Sequence, residues 1–194
     1  MLWALAGAAA MVGLGLVVGD GPTAADTWVA QRIGGPSPLL DTLSLTTHPV
    51  AVIAIITVIV GLTAREHPRV ALLAVAGPAV AVALNTLVLK PLFGRVIEEY
   101  YAYPSGHTAS LVAALALPVI VAGARWIAVV VPLVLIAGVA IVGMGYHHAT
   151  DVLGAALWST AVVTFLWGTL TRSGHRRLSL AKRRSVADSP GEIT

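Results

Sequence analysis

The sequence predicts an all-α integral membrane bundle of about six transmembrane helices. Two compositional facts and one pattern point that way. Apolar residues make up 57% of the 194-residue chain and charged residues only 11%, and the mean hydropathy is +0.87, far above what a soluble domain needs. The apolar residues also fall into runs long enough to cross a hydrocarbon core of about 30 Å, which takes roughly 17–25 residues each. The chain has no cysteine, which removes disulfides, iron–sulfur clusters and thiol chemistry from consideration.

The expected spans are Leu2–Val18, Pro49–Ala64, Val70–Leu89, Thr108–Ala122, Trp126–Met144 and Val152–Leu170. The first has no Lys or Arg ahead of its apolar core and is expected to be a retained span rather than a cleaved signal. Charge orients the set. Arg65 and Arg69 join spans two and three, Arg125 joins four and five, and six further basic residues follow Leu170, so nine of the twelve Lys and Arg residues share one side. The positive-inside rule makes that side cytoplasmic and places both termini there. Residues 1–171 are thus expected to form one transmembrane domain, and residues 172–194 a basic, disordered cytoplasmic tail. The net charge of +3 resides mainly in that tail, without interleaved aromatics, so the partner implied is the bilayer and not a nucleic acid.

The opposite face collects the polar chemistry. Its first loop, "GPTAADTWVAQRIGGPSPLLDTLS", is too long for a tight turn. Trp28, Val29, Ile33, Leu39 and Leu40 are expected to form an interfacial amphipathic piece over a lipid entrance. In "AYPSGHTAS", Ser105 is a favoured N-cap and Gly106 permits close backbone approach, which places His107 in the first turn of a span. Free N–H groups and the helix dipole make such a terminus a site for an anion such as phosphate. In "GYHHATDVLG", His147 and Asp151 are four residues apart, the spacing that sets a carboxylate against one imidazole nitrogen and leaves the other free. Lys90 and Arg95, next to a span end, are cations suited to a phosphate head group. Asn85, polar within a span, is expected to pair across helices.

Lys90 with Arg95, then Pro104-Ser105-Gly106-His107, then His147-x-x-x-Asp151 followed by Val152-Leu153-Gly154, resemble in order the three signature motifs of the type 2 phosphatidic acid phosphatase (PAP2) family, relatives of the vanadium haloperoxidases. The resemblance implies a haloperoxidase-like helical fold and a phosphatase that uses no metal and no cofactor. His147 would attack phosphorus and become a phosphohistidine, Asp151 would hold its tautomer, and His107 would protonate the leaving oxygen. Lys90, Arg95, the Ser105 hydroxyl and the Gly106 N–H would bind the non-bridging oxygens. It implies a lipid phosphate monoester or diphosphate as substrate: a polyprenyl diphosphate of the cell envelope first, then phosphatidylglycerophosphate or phosphatidic acid. The active site would face outward.

Two positions depart from the family pattern. The arginine and proline that close its first motif are Ile97 and Glu98 here, and the Ser-Arg that opens its third is Ala140-Ile141. Charge-assisted hydrogen bonds contribute roughly 1.5–3 kcal/mol each, so two uncompensated losses correspond to about two to four powers of ten in rate. Arg95 is expected to replace one arginine, with Arg32 as a second substitute. The alternative function is a catalytically weak or inactive relative that binds a phospholipid or polyprenyl phosphate. A transporter is disfavoured because the ionisable residues sit at one face instead of the midplane.

Overall fold

The structure, a computed structural model, describes the backbone of residues 1–187 and the side chains of residues 1–172. All six segments expected as spans are helical. Helix α1 (Leu2–Val18) stops where Gly19 takes φ 61°, a left-handed conformation that favours glycine. The loop after it folds into two short helices. α2 (Ala24–Ile33) starts on a reciprocal cap, in which Thr23 Oγ1 accepts the Asp26 N–H and the Asp26 carboxylate accepts the Thr23 N–H. α3 (Pro38–Ser44) starts on Ser37. α4 (Pro49–Thr63) has proline at its first position and His48 Nδ1 accepting the Val50 N–H.

Helix α5 (Pro68–Leu84) runs on through a π-helical turn, Asn85–Leu89, into the short α6 (Lys90–Phe93). A two-stranded antiparallel hairpin follows, β1 (Val96–Ile97) and β2 (Tyr100–Tyr101), turning at Glu98–Glu99 with Glu98 at φ 53°. Then come α7 (Gly106–Ala122), α8 (Ile127–Gly143) and α9 (Ala149–Ala187). By length and composition three stretches can cross a membrane: Pro68–Phe93, Ala124–Gly143 and Ala149–Arg172. Pro38–Thr47 with Pro49–Thr63, bent by 45°, makes a fourth if counted as one broken span. α1 and α7 are equally apolar but have 17 residues each, about 25 Å of helix, which is why fewer than six pass on length.

Helix α9 is the hub, packing against α1, α5 and α7. The main core joins Leu73, Ala74 and Ala81 of α5, Ala113 and Leu117 of α7, and Val162 and Val163 of α9. Small residues bring the helices close where dispersion has to replace the hydrophobic effect. Outward faces stay apolar, as at Leu133, Leu135 and Ile136 of α8. A second cluster around Met11, Leu89 and Tyr103 sits under the loop before α7.

The first loop does form α2 and α3, and Ile33 and Leu40 close on Gly143 of α8, so the pair packs against α8 and α9. One expectation is corrected. The tail expected to be disordered from residue 172 continues as α9 to Ala187. Leu178, Leu180, Ala181 and the adjoining Lys and Arg residues are good helix formers, with no proline before Pro190. The last part of that tail, 188–194, lies outside the described residues.

Tyr103 donates its hydroxyl to the Met11 carbonyl (2.5 Å) and meets Phe93 edge-on at 5.0 Å. Its ring lies so close to Gly154 that a Cβ there would fall 2.5–2.6 Å from two ring carbons and the hydroxyl oxygen. Because the ring is pinned from two sides, Gly154→Ala should destabilise the fold by about 1–3 kcal/mol, read as a lower midpoint of thermal unfolding in detergent.

Candidate active site

The polar residues at one end of the bundle are gathered by the termini of α7 and α9. Ser105 caps α7, its Oγ accepting the Thr108 N–H at 3.3 Å, which sets His107 in the first turn. The chain before α9 holds His147, and Asp151 follows one turn on. The Asp151 carboxylate accepts the His148 N–H at 2.8 Å, while its backbone carbonyl accepts the Ser105 N–H at 3.1 Å. The Pro-Ser-Gly-His segment and the His-x-x-x-Asp segment are therefore joined directly through Asp151.

The two histidine rings face each other, centroids 5.8 Å apart at 66°, across the polar end of a cavity of about 910 Å³. Gly106, Lys90 and Glu98 line the same end. From there the cavity runs between α4 and α5, past Val52 and Ile56 on one side and Val75, Ala79 and Val82 on the other. Val75 to Lys90 is fifteen helical residues, about 22 Å, so the groove is long as well as apolar. Its volume is within the usual range of a ligand site.

His147 is buried, 8% exposed, and its Nδ1 lies 3.7 Å from Asp151 Oδ2 with no hydrogen-bond partner. The i,i+4 spacing left open which imidazole nitrogen the carboxylate would face; it is Nδ1, at a separation wider than a hydrogen bond. Lys90 donates its ammonium to the Tyr101 carbonyl, tying the cavity wall to the hairpin. It reaches the cavity because the π-helical turn ahead of it widens the helix by one residue. Asn85, which opens that turn, donates Nδ2 to the Pro104 carbonyl at 3.2 Å, so its role is to hold the loop that carries Ser105.

Arg95 does not line the cavity, contrary to its expected role as a phosphate ligand. It is 1% exposed, and its guanidinium is consumed by protein groups. Nη1 donates to Asp151 Oδ1 (2.7 Å) and Thr150 Oγ1 (2.7 Å); Nη2 donates to Asp26 Oδ2 (2.8 Å) and the Gly21 carbonyl (2.7 Å). Two carboxylates outcompete a site on the cavity wall. Ser105 is likewise fully buried and serves as the helix cap, with only Gly106 of that pair on the cavity. Arg32 stacks on Trp28 at 3.6 Å from the ring centre and is no substitute either.

Asp26 is the residue that sequence reasoning missed. Burial alone would raise its pKa, but hydrogen bonds from the Thr150 and Thr23 N–H groups, the Arg95 guanidinium and the Thr23 hydroxyl outweigh that and hold the carboxyl well below the ordinary range. It caps α2 and also accepts the Thr150 N–H at 2.8 Å in the first turn of α9. The Thr-x-x-Asp capping pattern at Thr23 was visible in the sequence; its partners 69 and 124 residues away were not. His148 is pushed to a lower pKa, mainly by burial and against the pull of Asp151.

A carboxyl with a depressed folded pKa adds stability that is fully present above its unfolded value of about 3.9 and fades as pH falls from there toward the folded value. Asp26→Asn should therefore cost about 3 kcal/mol near neutral pH. The gap between wild type and variant should narrow as pH drops below about 4, which thermal unfolding at stepped pH values would show.

The sequence matches no family model and no curated protein. Among solved structures, a transmembrane PAP2-type phosphatidylglycerolphosphate phosphatase from Bacillus subtilis superposes with a TM-score of 0.71 at 17% identity, over 89% of this chain and 98% of that one. The residues that carry the motif resemblance lie together at one end of that shared architecture. This membrane protein has the fold of a transmembrane PAP2-type phosphatase.

Proposed function

We propose that the protein is a membrane lipid phosphatase that hydrolyses a lipid phosphate monoester or diphosphate through a phosphohistidine on His147, at the extracytoplasmic face. The observation that carries this reading is the continuity of one cavity from the facing histidines into an apolar groove between α4 and α5. A phosphate at the polar end would leave its hydrocarbon chain along the groove.

In the first step His147 Nε2 forms a bond to phosphorus while the bond from phosphorus to the lipid oxygen breaks. His107, protonated, gives that oxygen its proton. Asp151, facing Nδ1, holds the ring with Nε2 toward the substrate and offsets the positive charge that develops on it. The Lys90 ammonium and the Gly106 N–H at the start of α7 receive the non-bridging oxygens, aided by the helix dipole. In the second step water attacks phosphorus, His107 takes the proton, and the bond to Nε2 breaks to release phosphate. The B. subtilis neighbour is a phosphatidylglycerolphosphate phosphatase, which supports testing phosphatidylglycerophosphate beside polyprenyl diphosphate first.

A second reading, binding without turnover, is favoured by the charge inventory. Among the described lining residues Lys90 is the one Lys or Arg, it is already engaged with Tyr101, and Glu98 stands on the same wall.

Phosphate release from polyprenyl diphosphate, phosphatidylglycerophosphate and phosphatidic acid by purified protein, with EDTA present, separates the two. Turnover that falls by about a thousandfold or more in His147→Ala supports the phosphatase. Binding of these lipids with no release from any supports the lipid-binding relative. Ala79→Phe, which fills the groove away from the histidines, should raise KM for a long-chain substrate by about tenfold and leave that for a short-chain analogue unchanged. Equal effects on both would show that the chain lies elsewhere.

A further inference from the structure

We propose that Arg95 and Asp26 are positioning residues for the reaction: a buried, two-carboxylate clamp on one guanidinium that fixes Asp151 behind His147 without touching the substrate. This rests on the reading of His147 as the nucleophile, and its central measurement does not depend on turnover.

The geometry divides the work between the two oxygens of Asp151. Oδ1 is held by Arg95 Nη1 at 2.7 Å. Oδ2 accepts the His148 N–H at 2.8 Å and faces the unpartnered, buried Nδ1 of His147. With Oδ1 fixed, the carboxylate cannot turn about its Cβ–Cγ bond, and Oδ2 remains directed at His147. Arg95 is itself fixed by Asp26 and the Gly21 carbonyl on its other nitrogen, so the first-loop helix α2 is what anchors the plane of the guanidinium. A lysine carries the same charge but lacks the planar fork that serves two carboxylates at once.

The charge count points the same way. Asp26 and Asp151 are ionised partners of a single guanidinium, all three at most 2% exposed. The trio therefore carries one excess negative charge. The groups beside it include His147, His148, Lys90, Tyr103 and the Thr23 and Thr150 hydroxyls. His147 alone among them directs an unpartnered buried nitrogen at the carboxylate. The excess charge is thus placed to stabilise the positive charge that the His147 ring acquires on bonding phosphorus.

The test compares wild type, Arg95→Lys and Asp26→Asn as folded, purified full-length protein. Nitrogen-15 NMR of labelled imidazole, with His147→Gln to assign the signal, reports which ring nitrogen of His147 carries the proton. Wild type is expected to hold the Nδ1–H tautomer, and Arg95→Lys to give a mixture. On the best lipid substrate Arg95→Lys is expected to lower kcat by about 10- to 100-fold with KM within about twofold. Asp26→Asn, whose amide oxygen can keep the Thr150 hydrogen bond, should lower kcat in the same direction with KM unchanged. A raised KM with kcat kept would mean that Arg95 meets the substrate after all. An unchanged tautomer in folded Arg95→Lys would reduce the cluster to scaffold. Either result overturns the proposal. Absence of turnover in wild type would count against the phosphatase reading, while the tautomer measurement would still decide the positioning role.

Discussion

Burying ions in a bundle of apolar helices is costly, and here two carboxylates and one guanidinium meet out of water at one end of it. Taking them out of water costs several kcal/mol per ion, which only close, hydrogen-bonded pairing recovers. The Asp26, Arg95 and Asp151 cluster has contacts of 2.7–2.8 Å, with the Thr150 hydroxyl and the Gly21 carbonyl as further partners of the two terminal guanidinium nitrogens, while Arg95 Nε is left without one. The cluster joins three segments that are far apart in the chain: the first-loop helix, the turn before the hairpin and the start of α9. The relative placement of those segments is set by ionic geometry more than by apolar contact, because apolar contact tolerates sliding and a guanidinium fork does not.

The rest of the site hangs on the same point. Asp151 presents its side chain to Arg95, His148 and His147, and its carbonyl to Ser105. The loop that leads into His107 is held from the other side by Asn85 through Pro104, and from below by Tyr103 lodged against Gly154. The facing histidines are thus supported by side chains locked in their own networks, the condition under which a site keeps its geometry. The apolar groove, by contrast, is built from Val, Ile and Ala side chains on α4 and α5 without directional bonds. One end of the cavity is held by directional bonds and the other is shaped only by apolar side chains.

Much of this was legible in the sequence, for identifiable reasons. The apolar helical segments followed from hydropathy, since a bilayer leaves the backbone few choices. The placement of His107 in a first turn and of Asp151 against His147 was indicated by local spacing, and the structure brings all three together. Arg95 was misplaced because a charge near a motif looks available until its partners are known, and those partners are contributed by residues 69 and 56 positions away. Asp26 was readable as a cap but not as a counter-ion, since capping is local and ion pairing is not. The helical continuation past residue 172 was obscured by charge, which signals disorder in composition but does not oppose helix formation residue by residue.

The π-helical turn at Asn85–Leu89 makes winding, and not only identity, a determinant of where Lys90 stands. Wound as a regular α-helix, the same residues would carry the lysine up to about 100° further around the axis, off the cavity wall that it lines. Every amino acid would be retained and the cation would still leave the cavity. The placement of Lys90 is therefore partly phase: one residue taken up by a wider turn, which no list of motif residues contains.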